Sequence, residues 1–227
     1  MKKIRFVLMW LTLIPALAFL GCAAPSIYTV NISYDAEYAV APSYLKPTQK
    51  ALQSIIAVAE FSDVRKVEDP LVIGRVVEKN GLKVLVLPKH AKPAQAAAQG
   101  VRNYLRRVGY NVSGVVDRWD LQEATIPQVA NSKILIGGSI DELEITCRRA
   151  FPTNAYTTKM RLTVYIADAV HKKILHKATV EATTSLEHVS FSEDRMGYQA
   201  SVALGDAIEK IFEKRELAQK IGEALAQ

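Results

Sequence analysis

Two cysteines are all that the 227 residues contain, Cys22 and Cys147. No disulfide framework can therefore brace the chain, and a body of this length must stand on its apolar core instead. Motifs of common chemistry are also missing. There is no Gly-x-Ser-x-Gly, no Walker loop, no dinucleotide fingerprint and no His-Glu-x-x-His. The histidines are four, His90, His171, His176 and His188, and none is spaced as a metal-ligand pair on one element. No cofactor, metal or catalytic residue is assigned from these patterns. Apolar runs long enough to span a bilayer are absent as well. The longest, Phe6 to Leu20, falls short of the roughly 20 residues a spanning helix needs and contains Pro15. The formal charge of +6 looks basic, but Lys2, Lys3 and Arg5 lie in an opening segment without acids. Without that segment the charge is about +3, which removes the main support for nucleic-acid binding. Mild attraction to anionic lipid headgroups survives that correction.

What is present begins at residue 1. A basic start, a short apolar run and a small residue before a cut point make a secretory signal. Phe19-Leu20-Gly21-Cys22 resembles the bacterial lipobox, in which the cysteine thiol is diacylated and the chain is cut before it. Gly21 and Cys22 match that motif; Phe19 and Leu20 are bulkier than usual. The resemblance implies residues 1–21 as a cleaved signal, Cys22 as the lipidation site, and a mature chain held to a membrane by acyl chains without any span. Ala23 stands where an Asp favours inner-membrane retention in enteric lipoproteins, which leans towards the outer membrane.

Residues 22–50, with Pro25, Pro42, Pro47 and several tyrosines, read as a lipidated tether with an extended edge segment near Tyr28 to Tyr34, and the aromatic content argues that part of it packs. Residues 51–227 read as one domain. Ser54 to Phe61 is a continuous apolar run, the mark of a buried strand. Leu71 to Glu78 and Lys83 to Leu87 flank Asn80-Gly81, a two-residue hairpin signal. Pro93 to Val108 carries helical periodicity closed by Gly109. Its basic end, Arg102, Arg106 and Arg107, reads as a solvated terminus matched to the helix dipole. Val115 to Asn131 carries no assignable pattern. Three long strands follow. The apolar phase slips after Asp141-Glu142, which suggests a β-bulge. The strand pair from Tyr156 to Leu186 alternates as a sheet with one covered and one wet face. Ser192 opens a second helix, whose small line Gly197, Ser201 and Gly205 suits close packing on the sheet. Leu217, Ile221 and Leu225 then form an offset stripe: either the helix breaks near Lys214 or its last turns offer an apolar edge to a partner. The expected fold is α+β, a mostly antiparallel sheet with two main helices packed on one face.

Asp141, Glu142 and Glu144 form an acidic cluster at the proposed bulge, read as solvated and facing Arg148 and Arg149. A cell-envelope enzyme would need it to converge with His176, which otherwise reads as a satisfied core histidine. Cys147 reads as a small buried hydrophobe.

The order of parts resembles the YajG-type family of small bacterial lipoproteins. The resemblance rests on the lipobox, the strand end Asp63-Val64-Arg65, the helix exit Arg107-Val108-Gly109-Tyr110-Asn111-Val112, and the strand around Tyr156 and Arg161. It is similar in layout to auxiliary lipoproteins of envelope transport systems too. It implies a periplasmic domain on the outer membrane with no established enzymatic activity; the expected role of such a domain is to bind an envelope partner rather than to turn over a substrate. The sheet edges and the stripe Leu217, Ile221 and Leu225 are the expected contact surfaces.

Overall fold

The computed structural model describes residues 27–226; the signal and Cys22 lie outside the described residues. The strands are β1 (Ile27–Val30), β2 (Ile55–Ala59), β3 (Ser62–Asp63), β4 (Gly74–Val77), β5 (Lys83–Pro88), β6 (Asn111–Val116), β7 (Ser132–Arg148), β8 (Asn154–Asp168) and β9 (Lys173–His188). The helices are α1 (Pro93–Val108), α2 (Glu193–Phe212) and α3 (Arg215–Ala226).

β7 is the spine. One of its edges pairs antiparallel with β8, which pairs antiparallel with β9. The other edge takes β2, β3 and β4 in succession, all parallel to it. β2 is extended outward by β6, and β4 by β5 and then β1. The fold is α+β, with one mixed sheet whose long antiparallel ladders carry most of the pairing. α1 and α2 pack on one face over the apolar cluster that includes Ile134, Ile136, Ile140, Leu162 and Val164.

Several local expectations hold for their stated reasons. α1 spans the expected residues. Gly109 closes it at φ 113°, with its N–H and that of Tyr110 both reaching the Leu105 carbonyl, a left-handed C-terminal stop. The ladder slips between Ile140 and Glu142, so Asp141 is the extra residue of the bulge. The helical run breaks at Lys214, and α3 starts at Arg215.

Others need correction. The β4–β5 hairpin turns on three residues, not two. The Gly81 N–H bonds the Glu78 carbonyl and Gly81 alone is left-handed, at φ 83°; this is a turn followed by a glycine bulge. Residues 27–50 do not hang free. β1 is an edge strand, and the chain beyond it is strapped across the helices. The Ser201 hydroxyl accepts the Ser33 N–H at 3.1 Å, and the Tyr34 hydroxyl donates to Glu209 at 2.7 Å. The small line of α2 faces this strap rather than the sheet. A Cβ on Gly197 would lie 2.7 Å from the Asn31 carbonyl oxygen, and one on Gly205 2.8 Å from the Tyr34 ring. Leu217, Ile221 and Leu225 are fully buried in the main core, so that stripe is no free contact surface. α3 folds back once the helix breaks, and its apolar edge closes the core instead.

The unassigned stretch after β6 proves structural. Trp119, Leu121, Ile126 and Val129 cover Ala57, Ala59, Leu135 and Ala167 on the face of the sheet away from the helices. A second slip, between Ile166 and Ala167 opposite Leu175, sends Ile174 to this same minor cluster.

Candidate functional site

Two regions gather polar and charged groups. The first is the end of the sheet from which β1 enters. Here the Tyr28 hydroxyl donates to Glu78 at 2.8 Å, and Arg149 pairs with the other Glu78 oxygen at 2.8 Å. The Arg149 guanidinium lies over the Phe191 ring, 4.8 Å from its centroid, and Phe191 packs against Tyr28 at 5.0 Å. Glu193, in the first turn of α2, accepts the Thr29 N–H at 2.7 Å. Burial, then the neighbouring Glu78, raise the Tyr28 hydroxyl above its ordinary pKa, so it is a donor throughout the physiological range. β1, the β4–β5 hairpin, the β7–β8 hairpin and the entry to α2 are thereby stitched together at one point.

The second region is the fork where β3 and β4 part along β7. A cleft of about 710 Å³ opens there, lined by Arg65, Arg75, Glu142, Glu144 and Arg161 among others. Arg65 is buried at its base. It holds Asp63 through Nε at 2.8 Å and Nη2 at 2.7 Å, and donates to the carbonyls of Pro70 and Val72. This fork–carboxylate pair fixes the loop that crosses from β3 to β4. Above it, Asp141 accepts from Ser139 at 2.7 Å and from Thr163 at 2.5 Å. Arg161 bridges Glu142 and Glu181 at 2.5 and 2.7 Å. Within the acidic cluster Glu142 is thus paired with Arg161, Asp141 is held by hydroxyls of its own strand and of β8, and Glu144 is exposed. The expected partners stand elsewhere: Arg149 is spent on Glu78, and Arg148 is exposed at the strand end.

The structure does not bring the cluster to His176. His176 opposes Ile166 and, through it, Ile136. That is five residues down the spine from Asp141, about 17 Å at strand rise. The two also lie on different faces, since Ile166 belongs to the helix-side core while Asp141 bonds Thr163 on the other side. Nor is His176 satisfied: its Nε2 is buried without a hydrogen-bond partner among the described residues, and burial lowers its pKa. Cys147 is fully buried, and burial pushes its thiol up to about 11. It stays protonated and unreactive in the folded state. Arg102, read as part of a solvated terminus, is only 5% exposed. Its Nε donates to Gln99 at 3.1 Å and its Nη1 faces the Val58 carbonyl at 3.4 Å. Helical spacing puts it on the sheet side of α1, a fact its charge concealed.

Among the described residues no helix is long and apolar enough to cross a membrane, and no group of three or more His, Cys, Asp or Glu is placed to hold a metal. No family model matches the chain, and no curated protein matches it. Solved structures do. The protein XCC0632 from Xanthomonas campestris, of family DUF330, superposes with a TM-score of 0.51 at 12% identity, over 85% of this chain and 95% of that one. The chain shares that fold. A minor lipoprotein from Acinetobacter baumannii matches at TM-score 0.38 and 11% identity, over 74% of this chain and 93% of that one. Lipoprotein GNA1162 from Neisseria meningitidis matches at 0.36 and 10%, over 67% and 96%.

Proposed function

We propose that this chain is a lipid-anchored protein of the bacterial envelope, of the YajG-type layout. On this reading it sits on the periplasmic side of the outer membrane and works by binding or scaffolding rather than by turnover. The observation that carries the reading is Gly21-Cys22 at the end of a short apolar leader, followed within five residues by a strand built into the domain. Acylation at Cys22 would hold the body beside a bilayer and make its encounters with a membrane-bound partner effectively intramolecular. The remaining contact surfaces for such a partner are the sheet edges, above all β9. Among the described residues no strand pairs with its outer side, where Glu123 accepts the Ile174 N–H and Lys210 donates to the Glu181 carbonyl; the stretch from Ala182 to His188 is a template for an added strand.

An auxiliary role in envelope transport fits the same placement. Internal carriage of lipid is not favoured, because the space between helices and sheet is filled by side chains that are almost wholly buried. Growth with labelled palmitate tests the anchor. Label and a diacylglycerol mass on the peptide beginning at Cys22 are expected, and both should vanish in Cys22→Ser. An unmodified residue 22 in the wild type would overturn the reading.

A further inference from the structure

If Cys22 is the anchor, the geometry of β1 fixes which side of the body meets the bilayer. Ile27 is paired with Leu85, and the strand runs away from the β4–β5 turn. The chain therefore enters at the end of the sheet where that turn, the β7–β8 turn and the last residues of β9 also lie. Val77 pairs with Lys83 and Arg148, Arg148 with Ala155, and Ala155 with Glu187. Only five residue steps separate Cys22 from Ile27. Fully extended they reach about 17 Å, so this end cannot stand far from an acylated membrane surface.

The same end is unlike an ordinary wet loop cluster. Each of its three tips carries a large apolar side chain in the open: Leu82 is 58% exposed, Phe151 90% and Val189 73%. Lys79, Lys83 and Arg148 are exposed around them. The carboxylates nearby are Glu78, already held by Tyr28 and Arg149, Glu187, which accepts from Thr153 at 3.4 Å, Glu193, which accepts the Thr29 N–H, and the exposed Asp194 beside it in the first turn of α2. Apolar tips ringed by cations match the interface of an anionic bilayer, where apolar groups enter the headgroup boundary and lysine and arginine meet phosphate.

We propose that these three turns form a membrane-apposed face, which seats Leu82, Phe151 and Val189 in the headgroup layer of an anionic phospholipid bilayer. A lipid chain alone leaves the body free to rotate about its tether. Three inserted tips, cross-linked by the Tyr28–Glu78–Arg149–Phe191 network, hold it in one orientation. The fork and the β9 edge then project sideways and away from the membrane, towards partners.

This rests on the anchor proposed above, and the test separates the two. The acylated full-length product, carrying either Phe151→Trp or Val170→Trp, is reconstituted into phosphatidylethanolamine–phosphatidylglycerol vesicles with brominated acyl chains. Val170 is exposed at the β8–β9 turn, the opposite end of the ladder, and buried Trp119 gives both variants the same background. The indole at position 151 should emit to the blue and be quenched several-fold more than the one at 170. Replacing phosphatidylglycerol by phosphatidylcholine should reduce that difference. Equal, water-like emission from an acylated chain overturns the orientation and leaves the anchor standing. Blue emission at 151 without bromine quenching points to protein contact, such as a second copy, and also overturns it. A mass spectrum showing no acyl group at Cys22 removes the anchor and the orientation together.

Discussion

The two halves of β7 differ more than their sequences suggest. From Ile134 to Ile140 every residue is buried; from Glu142 to Arg148 buried and accessible residues alternate. The helix side is covered along the whole strand. The difference arises on the other side, where the Trp119 segment shields the first half and stops short of the second. Gly137 and Gly138 belong to this double burial. A Cβ on Gly137 would lie 2.7 Å from the Trp119 ring, and one on Gly138 2.5 Å from Phe61. A strand squeezed between aromatic rings on both faces needs its thinnest residues there. Asp141 is the extra residue at the join, where covering ends and charge becomes affordable.

Removing the cover should break the contrast. Trp119→Ala deletes the largest side chain of the minor cluster, its 2.9 Å bond to the Gln122 carbonyl and its edge contact with Tyr165. A loss of about 3–5 kcal/mol is expected for an aromatic truncated to alanine in a core, read by urea denaturation. Hydrogen exchange should rise at Leu135 to Gly137 before it rises at Leu143 to Cys147. Uniform loss of protection would show that the halves are one cooperative unit.

Thickening the spine is a smaller insult. Gly138→Ala places a methyl against Phe61 and 2.7 Å from the Thr163 carbonyl oxygen. Backbone cannot yield as a side-chain end does, so about 1–3 kcal/mol of destabilisation is expected. An exposed-strand control, Glu144→Ala, should fall within about 0.5 kcal/mol of wild type. Asp141→Ala should lie between these two. It removes the acceptor of the buried Ser139 hydroxyl and one of the two partners of the buried Thr163 hydroxyl, which keeps Thr179, for about 1 kcal/mol. If Asp141→Ala matched Glu144→Ala in a melt, the bulge carboxylate would be no more than solvated charge.

How far the sequence disclosed this follows from what each signal reports. Periodicity reports one covered face. It therefore located α1, α2 and the alternating halves of β7, β8 and β9, and even the slip at Asp141. It is silent about a second cover supplied by irregular chain, so Trp119 and its neighbours had no readable role. Local turn chemistry located the β4–β5 hairpin but not its size, because Asn80-Gly81 serves a three-residue glycine-bulge turn as well as a two-residue one. Charge misled at Arg102, where the apolar stem lies along the sheet and the head finds Gln99. Apolar stripes misled at Leu217, Ile221 and Leu225, since a stripe says that burial is wanted and not what provides it. The exposed tips Leu82, Phe151 and Val189 could not be connected at all from sequence, for only the strand register brings them to one end.

The smallest expected effect lies at His176, under the doubly covered half. Its ring stands on the helix side of the ladder opposite Ile166, near Lys220 and Glu216 of α3 and Lys214 at the break before it. Burial first, then Lys220, lowers its pKa below 6.5, while Glu216 pulls the other way. A base whose folded pKa is depressed binds its proton more readily when unfolded. Folding stability on its account is therefore intact above about pH 6.5 and declines as pH falls through that unfolded value towards the folded one. His176→Gln cannot charge and should flatten that part of the stability–pH curve between pH 7 and 5, with little change at pH 8. Asp168, nearby at the strand end, works on a lower range. Burial opposes its charge, but the bonds from His171 and Val170 prevail and hold its carboxyl below the usual value, so its contribution persists above the unfolded carboxylate pKa and fades only as pH falls below it. An unchanged slope between pH 7 and 5 in His176→Gln would mean that the ring is hydrated in solution and that the cover over this half of the spine is looser than its burial implies.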